Sequence, residues 1–144
     1  MNPKVLCATI ILAAGVSVAH ADTIIVNVFN FDFSSNAPGQ VILDPTINVG
    51  DTVQWVWRSG FHSVTSVAGG LESFNSGNFA SPHTFSHTFT QLGNFNYFCN
   101  IHGFDAGNGA AGGMSGRITV VPTPGPAAAI ALAVAAGMSR RRRR

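Results

Sequence analysis

The sequence predicts an all-β protein, an antiparallel sandwich or barrel. Between residues 22 and 121, apolar and polar residues alternate with the two-residue period of strands, and no segment has the period of an amphipathic helix. Gly, Pro and Asn residues separate these short segments, as turns separate the strands of sandwiches and barrels. All 11 phenylalanines, both tryptophans and the only tyrosine fall in this range, and they can fill one core.

The predicted strands can be taken in chain order. "TIIVNVFNFDF" is β-branched and aromatic, and "QVILDPTINVGDTVQWVW" divides into two strands around turns at 44–45 and 50–51. "GFHSVTSV" holds a short strand that begins at or just after His62, and the stretch that follows it, "SVAGGLESFNSGNFASP", is irregular. "HTFSHTFTQLGNFNYFC" predicts two strands joined at 92–94, and "MSGRITVV" predicts the closing strand.

Both ends of the chain are predicted to be processing segments rather than parts of the fold. Residues 1–21 combine Lys4, an apolar stretch and the small-residue site Ala19-His20-Ala21, which is the pattern of a secretory signal peptide. Residues 122–144 combine a proline-rich break, an apolar stretch and five arginines, an order that holds a segment at the membrane. We therefore expect a single domain over 22–121, with contact to a membrane only through the C-terminal segment.

The C-terminal segment resembles the bacterial PEP-CTERM sorting signal, which exosortase-type transpeptidases read. It departs from that signal at residues 121–125, where Val-Pro-Thr-Pro-Gly replaces Pro-Glu-Pro. A plain tail anchor is the alternative interpretation. The resemblance implies an exported protein of the periplasm or cell surface, anchored to the envelope or processed there by an exosortase-like enzyme.

The positive charge of the chain lies mainly at its ends. The full sequence has a formal net charge of +2, but between residues 22 and 121 there are six acidic residues against Arg58 and Arg117, a net charge of about −4. The basic character therefore comes from the arginine tail and does not predict nucleic-acid binding.

Cys99 is the only cysteine of the predicted mature domain, since Cys7 lies in the signal peptide. An exported chain normally pairs its cysteines, so a single one indicates a reactive thiol, an intermolecular crosslink or a metal ligand. His102 follows three residues later, where a turn leaving the strand would bring both side chains to one ion. His62 can approach from another loop, and Met114 is the only methionine of the domain. A thiolate, two imidazoles and a distant thioether suit copper.

The two remaining histidines of the domain are weaker candidates for a metal site. His87 shares a strand face with Phe85 and Phe89, which predicts a packed or edge histidine. His83 is expected to be a solvated loop residue.

Several motifs in a fixed order resemble the plastocyanin-type blue copper proteins of the cupredoxin superfamily. They are "INVGDTVQWVW", "FHSVTS", "FNSG", "FSHTFTQLGNFNYFCNIHG" and "GMSGRITV". The resemblance implies a Greek-key β-sandwich of about eight strands, one type 1 copper bound by His62, Cys99, His102 and Met114, and electron transfer. Ile101, Phe104 and, from another loop, Phe61 are expected around His102, and an apolar patch there would let redox partner proteins dock near His102.

The sequence departs from this family at three positions. Met114 lies twelve positions after His102 rather than about five, so the ligand loop is longer and flexible in composition, and a backbone carbonyl or an empty axial position is the alternative to Met114. Ser63 stands where an asparagine often ties two loops together. Phe98 stands where a tyrosine commonly precedes the cysteine.

Three functions can be weighed on these residues. An electron carrier of the cell envelope is the leading hypothesis, and copper sequestration or delivery without redox traffic is the alternative. A structural domain without metal would leave the ligand set unexplained. We do not expect an enzyme, because a type 1 site is coordinatively saturated and the sequence offers no second metal cluster or acid–base pair.

Overall fold

The computed structural model describes residues 20–124, which contain ten strands and no helix. The strands are β1 (Thr23–Phe29), β2 (Asp32–Ser34), β3 (Thr46–Asn48), β4 (Thr52–Trp57), β5 (Phe61–His62), β6 (Thr65–Ser66), β7 (Phe79–Ala80), β8 (Thr84–Thr88), β9 (Gly93–Asp105) and β10 (Ala111–Val121). The all-β prediction is confirmed. The predicted signal peptide and sorting segment lie almost entirely outside the described residues.

Two four-stranded sheets form the sandwich, in the orders β2-β1-β4-β8 and β3-β10-β9-β6, and β5 and β7 form a separate pair. The first sheet pairs β1 with β4 in parallel, and the second pairs β3 with β10 in parallel. The sheets are therefore mixed rather than purely antiparallel. The reason is that the chain leaves the first sheet after β2, passes through β3 in the second, and returns to lay β4 beside β1.

The core lies between the two sheets and is mainly aromatic and β-branched. Strand β4 illustrates the pattern, since Val53, Trp55 and Trp57 are buried and alternate with half-buried residues. The ring centroid of Trp55 lies 5.5 Å from those of Phe74 and Tyr97, and the contact with Tyr97 on β9 joins the two sheets. Cys99 and Met114, two of the predicted metal ligands, belong to the same buried cluster.

The predicted strands were mostly found, with three differences. The first predicted segment divides into β1 and β2, because the chain turns at Asn30 and Phe31. The single short strand predicted from His62 is instead two, β5 and β6, because residues 63 and 64 do not pair as strand. The third difference is the length of the last two strands. β9 continues beyond Cys99 to Asp105, and β10 begins at Ala111, before Met114. None of the described residues forms a helix that could cross a membrane.

Candidate metal centre

His62 is presented by the short strand β5 and is only 2% exposed. The Trp57 indole Nε1–H donates to the His62 carbonyl at 3.2 Å, so the end of β4 fixes the backbone of this histidine. Its ring lies directly beneath Gly60, where any Cβ would clash with Nε2. A larger residue at position 60 would displace the His62 ring. The sequence alone did not indicate that Trp57 orients this site.

Cys99 and His102 both lie on β9, and the predicted turn between them is wrong. Residues three apart on a regular strand point to opposite faces, so a regular β9 could not bring both side chains to one ion. In the pairing of β9 with β10, Phe98 opposes Ser115 and Gly103 opposes Gly113. The four residues from Cys99 to His102 therefore face the single residue between those partners. This wide bulge turns the two side chains to the same side.

Glycines at 103 and 113 allow the two strands to close directly beyond the bulge. A Cβ on Gly103 would lie 2.5 Å from the Met114 carbonyl oxygen, and one on Gly113 would lie 2.6 Å from the His102 carbonyl oxygen. Gly113 also has a φ of 67°, which strongly favours glycine. Part of the glycine content of this stretch is thus a requirement of the close backbone packing next to the site.

The three donor atoms form a compact triangle. Nδ1 of His62 and Nδ1 of His102 are 3.1 Å apart, and Sγ of Cys99 lies 3.9 Å from the first and 3.5 Å from the second. A circle through atoms at these separations has a radius of about 2 Å, close to the bond lengths of about 2.0–2.3 Å by which nitrogen and sulfur hold a metal ion. The residues present therefore fit a single ion bound between them. Among residues 20–124 this is the one such group of three or more potential ligands.

The surroundings favour the metal-binding form of His62. Burial lowers the pKa of His62, and the nearby His102 lowers it further, so the imidazole stays neutral. A neutral imidazole can donate its lone pair to a metal, whereas a protonated one cannot. His62 Nε2 is buried without a hydrogen-bond partner among the described residues, while Nδ1 faces the other two donors. The ring is thus oriented by packing.

Ser63 ties the two ligand-bearing segments together. Its backbone N–H donates to Cys99 Sγ at 3.4 Å, and its hydroxyl accepts a hydrogen bond from the Asn100 N–H at 2.8 Å. The residue is fully buried. The link that an asparagine often makes in the plastocyanin family is here made by a serine, and a hydrogen bond to the sulfur is one means of tuning a metal–thiolate site.

Met114 lies on β10 at the position that faces the bulge, and it is 3% exposed. It shares the buried cluster with Cys99. The structure therefore brings Met114 to the same region as the three donors despite the twelve-residue separation from His102. The segment between them is as long as predicted, but it is a paired hairpin rather than an open loop.

The other two histidines lie away from the triangle. His87 packs against the rings of Phe74 and Phe89 and its Nε2 lies 2.7 Å from Glu72 Oε2, in agreement with the predicted packed histidine. His83 is half-buried, since it stacks on Phe79 with 3.9 Å between ring centroids and lies edge-on to Trp57. The prediction of a solvated His83 is therefore wrong.

An apolar crevice of about 220 Å³ lies over the partly exposed His102. Phe61 and Ile101, which the sequence placed near His102, line it and are exposed, and Phe104 is exposed nearby. Phe31 also lines it, and its ring meets His102 edge-on with 4.8 Å between centroids. Phe31 was missed at the sequence level, because it comes from the distant turn between β1 and β2.

No protein-family model matches the sequence, and no curated protein matches it. Solved structures, in contrast, do match this chain. An oxidised amicyanin variant is 27% identical with a TM-score of 0.51, and the match covers 69% of this chain and 82% of that one. A reduced Cu(I) form of another amicyanin variant is 25% identical with a TM-score of 0.50, covering 76% of this chain and 90% of that one.

The chain has a cupredoxin-like fold. A copper-containing nitrite reductase from Thermus scotoductus SA-01 also matches, with 21% identity, a TM-score of 0.53 and coverage of 80% of this chain but 25% of that one. That likeness concerns the fold alone. Together, the cupredoxin-like fold and the His-Cys-His group make this a possible copper site.

Proposed function

We propose that the protein is a type 1 copper-binding protein of the cell envelope that transfers one electron at a time. His62, Cys99 and His102 would hold one copper ion per chain, and Met114 would supply a fourth donor. The observation that carries the proposal is the triangle of two imidazole nitrogens and one thiol sulfur, since this donor set suits copper in both oxidation states. Bound copper would supply the change between Cu(I) and Cu(II).

The scaffold supports electron transfer because contacts within the chain itself hold the donors in place. Trp57 fixes the backbone of His62, Ser63 links the His62 segment to Cys99, and the bulge in β9 sets His102 beside Cys99. Donors held in this way need to move little when the ion changes charge. Phe95 and Tyr97 are buried on the same face of β9 as Cys99 and keep water from the sulfur.

We further propose that the chain is not an enzyme. Three donors and an axial thioether leave no open coordination position for a substrate, in contrast with catalytic metal sites. Within the part of the chain that the structure describes, the His-Cys-His group is the one cluster of its kind. Redox partner proteins would instead dock over the apolar crevice at the His102 edge, where the exposed Phe61 and Ile101 can be covered.

The envelope location rests on the sequence of the two ends. Residues 1–21 would direct export, and residues 122–144 would anchor the protein or be processed by an exosortase-like enzyme. A fusion that exports a reporter only when residues 1–21 are present, together with the mass of the mature protein, tests both assignments. No nucleic-acid partner is proposed, since the domain between the two ends is acidic.

Copper sequestration or delivery is the second candidate. The partial exposure of His102 beside the crevice favours it, because a competing ligand could approach from that side. The two functions differ in kinetics. A carrier exchanges electrons rapidly between Cu(I) and Cu(II) copies, as NMR line widths of mixed samples report, and retains Cu(I) against a chelator. Slow self-exchange with rapid transfer of Cu(I) to the chelator would overturn the carrier proposal in favour of delivery.

A further inference from the structure

The segment between His102 and Met114 is a β-hairpin. Gly103 to Asp105 pair with Ala111 to Gly113, and the turn is closed by a hydrogen bond from the Ala106 N–H to the Ala110 carbonyl at 3.0 Å. We refer to residues 103–113 as the ligand hairpin. The proposed ligands His102 and Met114 directly precede and follow the hairpin, so its position and theirs are coupled.

The tip of the ligand hairpin is hydrogen-bonded to the body of the domain at two places. Asp105 Oδ2 accepts from the Ala68 N–H at 2.6 Å, and Asn96 Nδ2 donates to the Gly109 carbonyl at 2.7 Å. Ala68 follows β6, whereas Asn96 lies on β9 three residues before Cys99. The two contacts therefore join the hairpin to the segment after β6 and to β9.

These contacts mean that the ligand hairpin folds back. Asn96 precedes the bulge in β9, yet it meets Gly109 at the far end of the hairpin. If the hairpin continued the direction of β9, its tip would point away from Asn96. The bulge over Cys99 to His102 is the place where the strand reverses, so the same irregularity that gathers the donors also directs the hairpin.

Hydrogen bonds rather than packing hold the tip. A crevice of about 220 Å³ separates Gly109 from the loop at Gly69 to Glu72, and of residues 103–113 five are glycine and three are alanine. Such a segment has little apolar surface to bury and much backbone freedom to lose when it becomes ordered. The contacts of Asp105 and Asn96 are therefore the ones that decide how often the hairpin opens.

We infer that Asp105 and Asn96 are positioning residues, which latch the ligand hairpin onto the sheet and thereby keep His102 and Met114 in place around Cys99. The inference deepens the proposed function and rests on it for the role of those ligands. It also explains how a ligand segment of this length and composition can be compatible with a rigid site. The latch consists of hydrogen bonds within the chain and uses no atom of the metal.

Reactivity of the buried Cys99 thiol in the copper-free, full-length protein tests the latch. Asp105→Ala and Asn96→Ala should each speed its modification by a thiol reagent about three- to tenfold, because each loses a hydrogen bond that closes the hairpin. In the copper-loaded protein, loss of Cu(I) to a chelator should speed up in parallel. If one variant does not fold, as circular dichroism would report, the other carries the test.

Two matched controls separate the latch from general stability. Asp44→Ala removes a carboxylate that accepts from the Arg117 N–H, and Asn94→Ala removes a side chain that accepts from the Thr119 hydroxyl, both outside the ligand hairpin. Thiol reactivity in both controls should stay within about twofold of the wild type. Wild-type rates in Asp105→Ala and Asn96→Ala, or equal acceleration in the controls, would overturn the inference. A wild type that does not turn blue with Cu(II) would refute the proposed function, while the copper-free rates still decide the latch.

Discussion

Phe31 is the residue whose conformation most needs an explanation. Its φ is 64°, in the left-handed region that a bulky side chain avoids, and its side chain is 66% exposed. Such strain costs about 1–3 kcal/mol and persists where the surrounding structure enforces it. The turn between β1 and β2 holds the ring edge-on against His102, and this contact places the strained residue beside the candidate metal site.

The strain can be measured by comparing Phe31→Gly with Phe31→Ala. Both variants lose the ring, but only glycine adopts a positive φ without cost, so the glycine variant should be more stable by about 1 kcal/mol. Denaturant unfolding of the copper-free proteins measures the difference. Equal stability of the two variants would show that position 31 is not strained.

Met114→Leu tests the axial ligand. Leucine preserves the buried apolar volume but removes the thioether, so the blue colour should remain, while the potential should rise by at least about 60 mV, which is a tenfold change in a one-electron equilibrium. Voltammetry of the loaded variant and the wild type gives this value. An unchanged potential would remove Met114 from the site and favour a backbone carbonyl or an empty axial position.

Residue types and their order were enough to predict which side chains meet at the site. His62, Cys99 and His102 could be selected because few soft donors exist in the domain and because the motifs occur in a familiar order. Trp57 and Phe31 could not be selected, since an aromatic residue in a strand-rich sequence is usually a core residue. Their contacts with the two histidines depend on how distant segments pack.

Among the secondary-structure elements, the bulge in β9 is the feature that the sequence did not predict. A stretch with many glycines is typical of a flexible loop, and the same glycines are needed where two backbones approach closely. Pairing of Gly103 with Gly113 depends on the whole register of β9 and β10. Local composition cannot distinguish these two situations.

The loop after β6 is fastened by Glu72, whose contacts predict a pH dependence. Oε1 of Glu72 accepts hydrogen bonds from the backbone N–H groups of Thr90 and Gln91 and from the Thr90 hydroxyl, and Oε2 lies 2.7 Å from His87 Nε2. Burial raises the pKa of Glu72, but the hydrogen bonds from His87, Thr90 and Gln91 outweigh it, so the pKa is lower than usual. The ionised form is the one that stabilises the fold.

Glu72→Gln should therefore destabilise the protein at neutral pH by about 1 kcal/mol. A lowered pKa in the folded state gives stability that is complete above the ordinary glutamate pKa of about 4.3 and is lost as the pH falls through the folded-state value. The difference in the free energy of unfolding between the wild type and the variant should shrink as the pH is lowered below about 4.3. Thermal or denaturant unfolding from pH 7 to pH 3 measures it, and a gap that stays constant with pH would contradict the assignment.

At the scale of the whole molecule, the two-residue period and the turn residues were sufficient to predict the sandwich. The mixed sheets were not predictable, because strand order depends on which sheet each crossing enters. The number of strands also exceeded the predicted eight, since β5, β6 and β7 are only two residues long. The arrangement matters for the site, because β5, β9 and β10 supply the proposed ligands and the turn between β1 and β2 supplies Phe31, which covers His102.

His62, Cys99 and His102 are proposed to bind one copper ion together. The most direct test is the visible spectrum of the copper-free protein after addition of one equivalent of Cu(II), beside the same titration of Cys99→Ser, which preserves the size of the residue. The wild type should develop an intense blue band from thiolate-to-copper charge transfer, and the variant should stay nearly colourless. A wild type without the band, or a Cys99→Ser variant that retains it, would contradict the claim.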